Sequence, residues 1–196
     1  MRRTIFILPL FLLLGATSSH MPVDTIVFDI NDSRSKLGEL TVSRQKLGDY
    51  TTVRVQSEIK ITKIFTLRIS HVGVSEYKNG TLMKAENTTK VNGHEHSSTT
   101  LRWANDHYQL SVDGKERQIT DPVHYSGSLM YFQEPLRTKT VFAEKAGTYE
   151  PIFQLGNGRY QVEKEDGSRH TYTYREGRLE RIEYPHSLTD IIVQRK

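Results

Sequence analysis

The chain has 196 residues and a formal net charge of +4, with 26% charged and 36% hydrophobic residues and no cysteine. The missing cysteine excludes a disulfide framework, a thiol nucleophile and a lipid-modified cysteine. A mean hydropathy of -0.56 beside that charge points to sheets with one wet face rather than layers buried on both sides, and an all-β chain of this length is expected to form one unit.

Met1-Arg-Arg, the apolar run 5–14 and the small-residue tail Gly15-Ala-Thr-Ser-Ser have the order of an export leader: positive start, short apolar stretch, small residues before a cut. The run is short for a bilayer span and contains Pro9, so a retained anchor is the poorer reading. Residues 1–20 are predicted as a signal peptide and 21–196 as a single β domain. The expected location is the periplasm or the extracellular space, with no transmembrane span after the leader is removed. Loss of Arg2 and Arg3 leaves 25 of the 27 basic residues against 23 acidic ones, a formal charge of +2. These basic residues are spread along the predicted strands and turns, without a cluster to track a phosphate backbone, so no nucleic-acid partner is expected.

From residue 25 the pattern is that of strands. An apolar run at 25–30 is followed by the turn Asn31-Asp-Ser-Arg-Ser-Lys and by 37–44, with Leu40 and Val42 on one face. Residues 50–57 place Val53 and Val55 with Thr51. The longest regular run is 59–74, where Ile59, Ile61, Lys63, Phe65, Leu67, Ile69 and His71 alternate with residues of the opposite face; a period of two means strand. At about 3.3 Å per residue a strand of that length suits a curved sheet that wraps around something. Asn79-Gly80, Asn92-Gly93, Asp113-Gly114, Asp166-Gly167 and Glu176-Gly177 then recur as hairpin turns. The rhythm is that of an antiparallel meander, with further strands at 159–164, 170–174, 179–184 and 189–194. The predicted fold is all-β: a single strongly curved antiparallel meander sheet or partly closed barrel, with at most one short helical turn near 128–133, ended by Pro135.

The segment 125–149 breaks this rhythm with a dense mixture of aromatics, small residues and two carboxylates, and is expected to be a hub between two β halves. The order of pieces also carries a resemblance. Gly38-Glu-Leu-Thr-Val, Asn79-Gly-Thr-Leu, Tyr125-Ser with Leu129-Met-Tyr-Phe-Gln-Glu-Pro135, Phe142-Ala-Glu144 with Gly147, Gly158-Arg-Tyr160, Asp166-Gly167 and Tyr172-Thr-Tyr174 resemble a bacterial exported family catalogued only as a domain of unknown function. The resemblance runs from about Val23 to Tyr184. It implies an envelope location and a β-rich fold, and it brings no catalytic residues.

Several groups invite chemistry. His94 and His96 flank Glu95 on alternate strand positions and could share an ion, with His107 or His124 to complete the set, although two ligands do not make a site and solvated side chains after an Asn-Gly turn are ordinary. His71 reads as a hydrogen-bonded residue at a strand end. His170, Tyr172 and Tyr174 share a face, either as a stacking platform or as cross-strand packing. Glu134 and Glu144 in the hub are the pair a glycoside hydrolase would need, one as acid and one as nucleophile or base; a turn role or an Arg137 partner explains Glu134 equally well. No Gly-x-Ser-x-Gly elbow, phosphate loop or dinucleotide fingerprint is present. Asn31-Asp-Ser, Asn79-Gly-Thr and Asn87-Thr-Thr are read as turn chemistry.

The function expected from these residues is an exported, non-enzymatic β-barrel-like protein without a cofactor. Its inner face, with Phe65, Leu67, Tyr125, Tyr131, Phe132, Tyr172 and Tyr174, would hold a lipid-like or other apolar or amphipathic ligand, or would pack on an envelope protein. The alternatives are a hydrolase using Glu134 and Glu144, and a structural envelope component with no pocket.

Overall fold

Alternation of apolar and polar residues, punctuated by turns with positive φ, produces fourteen strands among the described residues of the computed structural model, which are 23–62, 65–185 and 190–196. The predicted leader, 1–20, lies outside them. The first eight strands are β1 (Val23–Asn31), β2 (Lys36–Leu47), β3 (Tyr50–Thr62), β4 (Thr66–Lys78), β5 (Thr81–Val91), β6 (His94–Ala104), β7 (His107–Val112) and β8 (Lys115–Ile119). A long connection holding the 3-10 turn Leu129–Tyr131 leads to β9 (Thr140–Ala143), β10 (Thr148–Gly156), β11 (Arg159–Glu163), β12 (Arg169–Arg175), β13 (Arg178–Tyr184) and β14 (Ile191–Arg195).

All fourteen lie in one antiparallel sheet of order β8-β7-β6-β5-β4-β3-β2-β1-β14-β13-β12-β11-β10-β9. Two meanders are therefore joined where β1 meets β14, with Phe28 opposite Arg195 and Ile30 opposite Val193. The turns behave as their residues require: Asn79 and Gly80 take φ of 50° and 78°, the left-handed pair that a tight hairpin needs and that Asn-Gly adopts at little cost.

The predicted long strand at 59–74 is two strands. β3 and β4 run antiparallel, with Thr62 paired to Thr66 and Ile61 facing Leu67, while 63–64 lie outside the described residues. Directly opposed residues of an antiparallel pair share a face, so the register puts Ile59, Ile61, Leu67, Ile69 and His71 on one side, just as an unbroken strand would. The period survives the turn and hides it.

Phe28, Val42, Val53, Leu82, Leu101, Leu110, Val162 and Ile182 form a continuous inner surface and are almost completely buried. Each such side chain withdraws area worth about 1.5–3 kcal/mol from water, which is what drives the sheet to roll up. The roll does not close by backbone pairing, because β8 and β9 are the two free edges. Instead the turn at 144–147 tucks against the inner side of β6–β8. Thr99 Oγ1 donates to the Lys145 carbonyl at 2.6 Å and Arg117 donates to the Ala146 and Gly147 carbonyls at 2.8 and 3.0 Å. Gly147 is required there: it has φ of 69°, and a Cβ would stand 2.6 Å from Leu110 Cδ2. One edge of the sheet thus overlaps the other, and β8, with Lys115, Glu116 and Arg117 exposed, is an edge protected by charge.

Candidate functional site

The connection between β8 and β9 runs into the roll and plugs it. Its backbone is fastened by Leu82 N–H to the Val123 carbonyl at 2.8 Å, by Gly127 N–H to the Phe142 carbonyl at 2.9 Å, and by Phe142 N–H to the Tyr125 carbonyl at 3.1 Å. Four buried tyrosines from four strands then bond it from the walls. Tyr77 on β4 meets the Ser126 and Ser128 hydroxyls at 2.5 and 2.7 Å. Tyr108 on β7 accepts from Val123 N–H at 3.0 Å while donating to the Leu82 carbonyl at 2.7 Å. Tyr160 on β11 donates to Glu134 Oε1 at 2.8 Å, and Tyr174 on β12 to the Met130 carbonyl at 2.7 Å. Burial raises the pKa of all four phenols, that of Tyr160 to about 12, so each remains a donor at neutral pH.

Glu144 completes the plug. Its Oε1 accepts from Ser126 Oγ at 2.5 Å, Ser128 N–H at 3.0 Å and Ser75 Oγ at 3.3 Å, and the residue is only 7% exposed. Three donors on one oxygen are what allow a carboxylate to sit in an interior without a cation beside it.

On the β3–β5 side of the plug lies a cavity of about 420 Å³. Val55, Met130, Tyr131, Val141, Val162 and Tyr172 give it apolar walls. Polar groups stand among them, with two carboxylates and two lysines: His71, Asn87, Glu144, Lys145, Glu150, Lys164 and His170. Glu150 is 4% exposed and bonds Lys164 Nζ at 2.6 Å; burial raises its pKa, and the lysine opposes that. His71 and His170 are pushed down to about 4, by burial first and then by Lys145 and Lys164 respectively, so both rings are neutral at pH 7. Loss of water lowers the pKa of Lys145, and Lys164 adds to it.

Two observations show that this cavity is built. Asn87 is 9% exposed and its Nδ2 has no hydrogen-bond partner, an arrangement that costs about 1–3 kcal/mol in a closed interior. Beside it Gly73 keeps the space clear, since a Cβ there would lie 2.6 Å from Asn87 Oδ1 and 3.3 Å from His71 Nε2. The other depressions differ. A groove of about 600 Å³ over β5–β8 is lined by outward charged residues such as Lys84, Glu86 and Arg102. Another of about 430 Å³ lies across Tyr131, beside Phe132, Arg44, Arg178 and Arg195.

Comparison with known proteins agrees with this architecture. Domain of unknown function (DUF6134) matches residues 28–196. The chain belongs to this family. The DUF6134 chain is also similar in structure to a beta-barrel-like protein of domain of unknown function DUF1849 from Brucella abortus. The TM-score is 0.56 and the identity 13%, over 90% of this chain and 96% of that one. At that identity the likeness is one of fold. No curated protein matches the sequence.

Within the DUF6134 chain the candidate residues separate into three groups. Tyr131 and Tyr172 line the cavity. Tyr125, Tyr174 and Phe132 serve the plug: Tyr125 donates to the Gln133 carbonyl at 2.6 Å, Tyr174 holds Met130, and Phe132 lies under the Arg44 guanidinium at 4.4 Å. Phe65 and Leu67 stand away from the cavity, Phe65 at 73% exposure in the β3–β4 hairpin and Leu67 half-buried next to it. Leu67 keeps the face of Ile69 and His71, but it and Phe65 sit at the β3–β4 end of the sheet, beyond the residues that line the cavity.

Glu134 and Glu144 do not share a cleft. Glu134 is bound by Tyr160, not Arg137, and does not line the cavity, while Glu144 does line it, with its Oε1 engaged by the plug. His94 and His96 are exposed at the start of β6, and no group of three or more metal-ligating side chains occurs among the described residues. His71 stands within β4, with Nδ1 3.2 Å from Thr89 Oγ1. Asn87 is not a turn residue but a buried one inside β5. Sequence reading missed Asn87, Lys145, Glu150 and Lys164 as cavity residues. Strand parity marks Asn87 as inward, next to Ala85 and Thr89, and was the one signal available for it.

Proposed function

We propose that the protein is an exported, non-enzymatic binding protein whose interior cavity holds a small amphipathic ligand. The observation that carries this reading is the cavity itself, which aliphatic and tyrosine side chains line and which Gly73 keeps open beside the buried side chain of Asn87. Apolar walls with a few fixed polar groups are the usual composition of a small-molecule site. The volume of about 420 Å³ suits one short apolar chain. The hydrolase alternative loses its motive, since Glu134 faces Tyr160 and the Glu144 oxygen that accepts three hydrogen bonds is engaged by the plug. Export rests on the leader at 1–20.

The test is calorimetric titration of the mature protein with decyl glucoside, beside Ala143→Phe, which places a ring in the cavity. Saturable binding at one site, lost in Ala143→Phe at an unchanged melting temperature, is expected. Binding that Ala143→Phe leaves intact would move the site elsewhere. No binding of any amphiphile would favour a partner-binding or purely structural role.

A further inference from the structure

We propose that the notch in the sheet where β14 ends is a docking slot for an extended acidic segment of a partner protein, which adds a strand beside β1 and sets its carboxylates against Arg195 and Arg178. The proposal is independent of the amphiphile reading above, and the slot is separate from the cavity.

β14 is short beside its neighbours. It pairs with residues 28–31 of β1 and 181–184 of β13. Residues 23–26 of β1 therefore pair only with β2, and 178–180 of β13 lie beyond the last register pair with β14. Two strands on either side of a third stand about 9–10 Å apart, which leaves room for one more strand where β14 stops. The groove of about 430 Å³ occupies that place: Asp24, Thr25 and Ile26 line it from β1, Arg178 from β13, and Tyr131 and Phe132 from the plug.

The edge of β1 is open there. Lys196 N–H donates to the Val27 carbonyl at 3.1 Å, at the end of the contact with β14. Peptide groups two residues apart on a strand point the same way, so the N–H and carbonyl of Thr25 face the gap. Among the described residues no strand pairs with them on that side, and Thr25 is exposed. Such an edge binds an extended chain through main-chain hydrogen bonds.

Charge decides which chain. Directly opposed residues share a face, and Arg195 is opposite Phe28, while Arg44 lies two positions past Val42 on β2. Phe28 and Val42 are completely buried, so both arginines hold inward positions at this end of the roll. Arg44 is already engaged, its Nε and Nη2 donating to Asp24 Oδ2 at 3.2 and 2.6 Å. Arg195 is half-buried and makes one long bond, from Nη1 to the Leu179 carbonyl at 3.4 Å. Neither it nor Arg178 has an ion pair within 4.0 Å among the described residues. Asp24 is the one carboxylate side chain among the described residues that line the groove; Glu176 and Glu180 do not. Three arginines against one aspartate leave the slot cationic. The matching segment carries acidic side chains at alternate positions, because every second residue of an added strand faces the groove.

The probe is a capped seven-residue peptide in which threonine alternates with glutamate, valine and glutamate, titrated into the mature protein by fluorescence anisotropy. It is expected to bind about tenfold more tightly than the same peptide with lysine for glutamate, the scale of a charge-assisted hydrogen bond. Arg195→Gln should weaken it about tenfold and Arg178→Gln, at an exposed side chain, about threefold, with decyl glucoside binding unchanged in both. Methylation of the peptide's backbone nitrogens should abolish binding, and exchange of the Thr25 amide should slow in the complex. Equal affinity for the acidic and lysine peptides, affinity unchanged in Arg195→Gln, or binding that survives backbone methylation would each overturn the proposal. Self-association of the protein that Arg195→Gln relieves would give the slot to a second copy and overturn the acidic partner. No binding of the acidic peptide would overturn it too, and decyl glucoside binding in the same sample keeps that failure apart from failure of the cavity.

Discussion

Around the plug, Tyr77, Tyr108, Tyr160 and Tyr174 each spend their hydroxyl on the 123–134 segment, and Glu144 receives three donors on one oxygen. Further along the same strands, Asn87 Nδ2 has no partner and Gly73 holds a volume open. The two regions share walls and differ in whether their polar groups are satisfied within the chain. A group that the fold satisfies contributes to stability. One that it leaves unsatisfied costs stability. Substitutions in the plug should therefore act on folding, and substitutions in the cavity on binding.

The largest effect is expected at Glu144. Replacing it with Ala strands the Ser75 and Ser126 hydroxyls and Ser128 N–H, and should cost about 3–5 kcal/mol in urea denaturation; a loss below about 1 kcal/mol would mean the plug is not held this way. Tyr174→Phe leaves the Met130 carbonyl unpaired and should cost about 1–2 kcal/mol, and Tyr160→Phe a similar amount through Glu134.

Acid should act through the cavity histidines. Their folded pKa of about 4 lies below the ordinary 6.5, so the unfolded chain binds the extra protons. The stability they contribute is complete above pH 6.5 and is lost as pH falls through the window to about 4. Glu150, with its raised pKa, works in the opposite sense. The histidine effect is accordingly read as the difference between the protein and a His71→Gln, His170→Gln double variant, whose melting temperature should fall less across that window. Identical profiles would contradict it.

The smallest change in stability, within about 1 kcal/mol, is expected for Gly73→Ala, because the added Cβ meets the movable end of Asn87 rather than backbone. Its effect should be on decyl glucoside binding, which it should weaken by crowding the cavity.

Much of the architecture is legible in the chain. Asn79-Gly80, Asn92-Gly93 and Asp113-Gly114 announce their hairpins because few other pairs tolerate those φ values, and 125–149 stands out as the segment that is not strand. The reversal between β3 and β4 is invisible because Thr62 and Thr66 pair an even number of residues apart, which leaves the parity unchanged. The cavity is harder for a different reason. Alternation tells which side of a sheet Asn87 faces, but whether its amide finds a partner depends on Gly73, two positions past His71 on another strand, and on how far the 144–147 turn slides under β6. Ser75 and Glu144 meet across 69 residues of chain, a distance at which local pattern carries no information.

The most direct test of an interior site is a titration of the isotopically labelled protein with decyl glucoside, following side-chain amide and backbone resonances. The Asn87 carboxamide and the backbone of Gly73, Ala143 and Tyr172 are expected to shift together with one affinity, while Gln109 and Arg102 on the outer groove stay still. Shifts confined to the outer groove, with Asn87 unmoved at saturation, would contradict the account.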